Sequence, residues 1–177
     1  MFMKIKKALD TALEWLVIVV VGVLVIDVLW QVFTRKVLGS QSKTTQELAI
    51  FLLIWVSLLG AAVAMNKGAH LGIDYFAGKL SIKNRVVTEV FVFAVVALFS
   101  IYVMVIGGCD LVATTLKMNQ RSPILDVAMG YVYLAVPISG LFMTFYSIIG
   151  LVERIGELKK KEFDENLHVS ESMGGLD

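Results

Sequence analysis

A single cysteine, Cys109, stands among the 177 residues. No disulfide can form within the chain and no CxxC redox pair exists, which excludes the four-helix membrane thiol oxidoreductases. Histidine is nearly as scarce. His70 falls just past the second long apolar stretch and His168 lies near the C-terminus, so the two cannot clamp a haem between helices. No HExxH motif or Cys/His cluster accompanies them, so no metal site is expected. The paired aspartates of a lipid-head phosphotransferase and a glycine-rich phosphate loop are also missing. With no nucleophile–base set, the chain does not read as an enzyme. Net charge is only +1, which gives nucleic acid nothing to bind.

What the chain has instead is apolar length. Hydrophobic residues make up 58% of it and mean hydropathy is +0.80, more apolar surface than a soluble domain of this size could bury. Residues 127–152 contain no Asp, Glu, Lys, Arg or His, and neither do residues 90–109. A third run covers 48–65, and a first, 13–34, carries one acid in its interior, Asp27. Crossing hydrocarbon takes about 20 mostly apolar helical residues. The chain therefore reads as an all-α integral membrane protein with spans at about 13–34, 47–65, 87–109 and 126–151. Lys4, Lys6 and Lys7 precede the first run as in a signal peptide, but no small-x-small site closes it. It is read as a retained span.

Lysine and arginine avoid the translocated side. With both termini in the cytoplasm, the sixteen basic residues divide eleven inside to five outside, and that orientation is adopted. Residues 1–152 form one membrane domain. The polar, mixed-charge segment 153–177 is expected to be a disordered cytoplasmic tail. In the loop 66–85, Ile73, Phe76 and Leu80 sit at helical spacing between Asp74, Lys79 and Lys83, which fits either a short interfacial helix or an irregular loop with apolar anchors.

Several residues carry more than hydropathy. A carboxylate in the bilayer costs roughly 2.5–3.5 kcal/mol on insertion scales, unless paired or protonated, so Asp27 should face protein or water. Gln31 shares its helix face. Asp27 is either an ion or proton site or a structural acid bonded to a partner helix. Glu47 opens the second span, where it would meet free amides or a partner. Gly60, Ala64, Gly68 and Gly72, four apart, make a groove for close helix packing if the helix runs that far. Pro137 should kink the last span near its middle, and Gly140 lets a neighbour approach. The second, third and fourth spans offer few polar groups near the midplane, mainly Ser57, Ser100, Ser139, Thr144 and tyrosines. That is too little for an anionic solute and a coupling ion.

The stretch 32–74 resembles the small membrane subunit of the tripartite ATP-independent periplasmic (TRAP) transporters. The matching residues are Val32-Phe33-Thr34-Arg35, Glu47-Leu48-Ala49, Trp55, Gly60-Ala61-Ala62-Val63-Ala64, Gly68-Ala69-His70 and Asp74, with Ser122-Pro123 and Tyr133 through Pro137 to Gly140 fitting a weaker C-terminal pattern. Thr44 and Gln46 stand where the family often has Trp and a second acid. The resemblance implies a non-catalytic scaffold in the inner membrane, without cofactor. Its partners would be lipids, a large elevator subunit holding the substrate and sodium sites, and a soluble periplasmic binding protein that delivers a carboxylate or sialic acid. Arg35, Lys36 and Lys43, on the outer side, could meet acidic patches of that protein. The competing reading is a stand-alone homo-oligomeric channel or exporter with Asp27 as its coupling carboxylate.

Overall fold

The computed structural model describes residues 2–37, 39, 42–67 and 82–174, with side chains over 6–37, 39, 42–67 and 86–156. Four helical spans long and apolar enough to cross a membrane lie at Lys6–Val37, Lys43–Asn66, Val86–Lys117 and Met129–Gly156. The first belongs to α1 (Phe2–Val37) and the second is α2 (Lys43–Asn66). The third joins α3 (Ile82–Phe99) through a π-helical segment, Ser100–Gly107, to α4 (Gly108–Lys117). The fourth is split into a short α5 (Met129–Tyr133) and a long α6 (Ala135–Gly174).

Each span is longer than its uncharged run because the flanking residues are good helix formers that tolerate the membrane–water boundary. Among the described residues, α1 packs on α2, α2 on the fourth span, and the fourth span on the third. The packing order is thus first, second, fourth, third, and the first span also meets the fourth where Asp10 reaches Tyr146. Successive spans run antiparallel, which leaves the second and fourth as parallel neighbours and puts both described ends of the chain at one end of the bundle. A core of Leu13, Leu59, Ala62, Met65, Phe93 and Tyr146 sits towards that end. Much of the remaining apolar surface faces outward, including Trp15, Ile26, Leu29 and Trp30 of α1, as expected for helices solvated by lipid or by another membrane chain.

Two expectations change. The break in the fourth span falls at Leu134 rather than at Pro137, which lies in the first turn of α6. The proline ring crowds the carbonyl of residue 133 and supplies no N–H to it, so the ladder is interrupted just upstream. Leu134 bridges the gap, donating to the Gly130 carbonyl at 3.1 Å and accepting from the Ile138 N–H at 3.2 Å. The polar segment after Val152, expected to lack structure, is helical backbone to Gly174. Its Glu, Lys and Leu residues favour helix, and a helix already anchored in the membrane propagates without a new nucleus. The interfacial helix weighed for 66–85 lies almost wholly outside the described residues, and so do Gly68 and His70.

The π segment faces the fourth span. A Cβ on Gly140 would lie 2.7 Å from the Met104 Cβ and 3.2 Å from its carbonyl carbon. A Cβ on Gly108 would lie 3.0 Å from a Val136 methyl and 3.1 Å from the Pro137 ring. The widened turn and the proline break meet here, and glycine on each helix permits the approach.

Candidate functional site

The buried acids and their partners lie towards the two ends of the bundle, while the buried serines Ser100, Ser139 and Ser147 lie within the third and fourth spans. At the end opposite the termini, Gln31 Nε2 donates to Asp27 Oδ2 at 3.0 Å and to the Thr45 carbonyl at 2.9 Å. One turn of α1 thus connects a buried carboxylate to the first turn of α2. Asp27 is 7% exposed, and its amide partner offsets part of the desolvation that burial imposes.

Glu47, one residue beyond that turn, points elsewhere. Its Oε2 accepts the backbone N–H of Leu125 at 2.8 Å, and Ser122 Oγ accepts from the same N–H at 3.2 Å. The acid therefore satisfies an amide of the connector between the third and fourth spans, not one of its own helix. Arg35, Lys36 and Lys43 are exposed at this end. Arg35 also borders a small cavity of about 70 Å³ with Val28, Gln31 and Val32.

At the end bearing the termini, three further pairs join helices. The Tyr146 hydroxyl donates to Asp10 Oδ1 at 2.7 Å, tying α6 to α1. Lys67 meets Glu14 at 3.0 Å, and Arg154 Nε meets the buried Glu89 carboxylate at 2.9 Å. Sequence reasoning missed all three. The signal for the last was present: Glu89 near the start of the third span and Arg154 just past the end of the fourth share a depth when those spans run antiparallel. A cavity of about 110 Å³ at this end is bordered by Lys6, Asn66, Tyr146 and Arg154.

The other candidates separate. Trp55 is half-buried against the core. Nothing lies within 4 Å of a Cβ built on Gly60, and Ala64 is exposed, so this part of the small-residue groove faces out of the chain. Pro137 and Gly140 are buried between the third and fourth spans. Among the described residues, no group of three or more His, Cys, Asp or Glu could hold a metal ion.

Four membrane-length helices joined by polar pairs towards their ends define a multi-pass membrane protein. Residues 23–157 match the family described as tripartite ATP-independent periplasmic transporters, DctQ component, and the chain belongs to that family. The small permease protein SiaQ of a Vibrio cholerae sialic acid TRAP transporter is 25% identical over 156 residues, covering 88% of this chain and 86% of that one. The small permease protein DctQ of a Rhodobacter capsulatus C4-dicarboxylate TRAP transporter is 32% identical over 100 residues, covering 56% and 44%. A Haemophilus influenzae relative is 27% identical over 156 residues, covering 85% and 95%. The protein is thus a TRAP transporter subunit of the bacterial inner membrane, from a system that also comprises a large membrane subunit and a periplasmic binding protein.

Proposed function

We infer that this chain is the non-catalytic scaffold of a sodium-coupled TRAP transporter, bracing the large elevator subunit and helping the binding protein to dock. Both termini are assigned to the cytoplasm, in keeping with the eleven-to-five charge bias. The sodium and solute sites are assigned to the large subunit, and this chain to no cofactor. The solute class is a carboxylate or sialic acid, since two relatives carry those names.

One observation carries the scaffold reading. The buried carboxylates Asp27, Glu47 and Glu89 are each engaged by a group of this chain that fixes a helix or a connector. A moving part needs polar groups that exchange partners. A stationary frame needs them satisfied, so that the helices hold their relative positions while a neighbour slides. The stand-alone channel reading would need Asp27 to address a solute path, whereas its carboxylate is held by Gln31.

The test is a mild-detergent pull-down of the tagged chain from its native membranes. Co-purification of one much larger polytopic protein in equal amount is expected. Recovery of self-assembled copies alone would remove the scaffold reading and make Asp27 the first residue to mutate.

A further inference from the structure

The first span is the least covered of the four. Of its most apolar window 6% is buried, against 17%, 17% and 33% in the others. Among the described elements α1 packs only on α2, apart from the reach of Asp10 to Tyr146 of the fourth span. Leu13, Asp27 and Thr34 mark its buried side. On the other side Trp15, Val19, Ile26, Leu29, Trp30 and Phe33 recur at helical spacing, each between 51% and 69% exposed. They form one apolar stripe along the span. Gly22 belongs to the same stripe, and nothing lies within 4 Å of a Cβ built on it.

Charge is sorted between the two sides. All three acids of α1 are engaged within the chain, Asp10 by Tyr146, Glu14 by Lys67 and Asp27 by Gln31. Lys7 and Lys36 are exposed beyond the two ends of the stripe. Helical twist sets their directions only about 20° apart, on one flank of the stripe. Helical rise sets them about 43 Å apart, which matches a bilayer with its headgroups, roughly 40–45 Å thick. Trp15 and Trp30 are about 22 Å apart on the same rise, near the edges of the hydrocarbon, where amphipathic rings gather. Both pairs are centred within a residue of Gly22.

We propose that this stripe is a lipid-facing edge of the assembled transporter, with the Lys7 and Lys36 ammonium groups on phospholipid phosphates of opposite leaflets, and that the large subunit seats on other helices of this chain. This rests on the scaffold reading in taking a large subunit to be present, and it holds whichever end is cytoplasmic. A transmembrane helix is a poor occupant. Close helix packing in membranes favours small residues that let backbones approach, and here rings and branched side chains surround a lone glycine. An ammonium beyond each end gains nothing from the apolar length of a neighbouring span, whereas the two phosphate layers meet both at once. Anchoring at both surfaces also fixes the depth of the frame against its moving neighbour.

The experiment uses this chain with its large subunit, co-purified and placed in phospholipid nanodiscs. A benzophenone amino acid at the position of Ile26 is irradiated and its adducts are separated by mass. Phospholipid adducts are expected to exceed protein adducts at least fivefold, and the same probe at Val19 should repeat the result. A dominant adduct to the large subunit, or to a second copy of this chain, overturns the proposal and leaves the scaffold reading intact. Depth is read from the emission lost in Trp15→Phe and Trp30→Phe, in nanodiscs of lipid brominated near the headgroup or near the chain ends. Shallow bromines should quench that emission at least twofold more than deep ones. Equal or reversed quenching overturns the proposal, because the rings then do not mark the interfaces. Replacing Lys7 and Lys36 together with Gln should lower the ratio, and an unchanged ratio overturns the phosphate contacts. Failure of the wild-type chain to co-purify with any large subunit would instead remove both readings.

Discussion

Glu47 and Leu125, 78 residues apart in the sequence, are joined by one hydrogen bond: the Glu47 carboxylate accepts the Leu125 backbone N–H at 2.8 Å. That bond fixes the third-to-fourth connector to the second span. Glu47 is 8% exposed, so its desolvation is offset chiefly by this contact. Removing the acceptor in Glu47→Ala should cost about 1–3 kcal/mol. Glu47→Gln keeps an acceptor oxygen in place and should recover most of that loss. Thermal unfolding in detergent, followed by fluorescence of Trp15, Trp30 and Trp55, separates the two. Equal loss in both variants would mean that the charge, not the hydrogen bond, holds the connector.

Asp27 offers a sharper test of role. In Asp27→Asn the charge disappears but a side-chain oxygen remains for Gln31. A frame should tolerate this, so assembly with the large subunit and solute uptake should stay near wild type. A coupling carboxylate would not tolerate it. Uptake abolished in a complex that still assembles would move this chain from the frame into the transport cycle.

The four spans were legible because each is a mostly apolar run of about membrane length, and hydropathy reports solvent directly. The even number of spans put both described ends of the chain on one side. What hydropathy could not express was pairing. It marked Asp27 as costly and put Gln31 on its face, but named neither Thr45 nor the Leu125 amide, because partners 14 and 78 residues away leave no local trace. It passed over Glu89 and Arg154 because each sits at a span margin, where charge is cheap. The π segment is also silent in sequence. Its neighbours Gly108 and Gly140 announce only that something comes close.

If the orientation proposed above holds, the basic residues Arg35 and Lys43 should act through long-range attraction. Arg35 and Lys43 are exposed, and exposed charges are screened over about 8 Å at physiological ionic strength. Replacing either with Gln should slow association with the binding protein several-fold at low salt and hardly at all in 0.5 M salt, while dissociation changes little. Stopped-flow association rates across a salt series read this directly. Identical salt slopes for wild type and variants would remove the steering role.

Two glycines, Gly140 in the fourth span and Gly60 in the second, should respond in opposite ways. Gly140 opposes Met104 so closely that any Cβ must displace backbone or side chain. Gly140→Val should therefore destabilise the isolated chain by about 1–3 kcal/mol through overpacking. Gly60 has open space where a Cβ would stand, and Gly60→Leu should leave the isolated chain's unfolding temperature unchanged or slightly raised, since leucine is the better helix former. If that face receives a helix of the large subunit, the same leucine should block close approach and reduce co-purification. Unfolding and pull-down measured side by side on both variants decide the matter. A Gly60→Leu chain that binds the large subunit as well as wild type shows that the groove faces lipid.

The Glu89–Arg154 pair ties the third span to the fourth at the end bearing the termini, at 2.9 Å. Glu89 is nearly buried while Arg154 keeps water on one side, so the pair is neither a surface ion pair nor a dry one, and its partners should be unequal. Arg154→Ala strips a cation from a carboxylate that cannot move into solvent, a loss of about 1–3 kcal/mol once solvent screening is allowed for. Glu89→Gln leaves Arg154 free to turn towards water and should cost less. In the double variant the second substitution should add little, because the interaction is already gone. A complete double-mutant cycle on unfolding free energy measures this coupling. A coupling near zero would mean that the helices are held at this end by the Phe93–Gly150 packing alone.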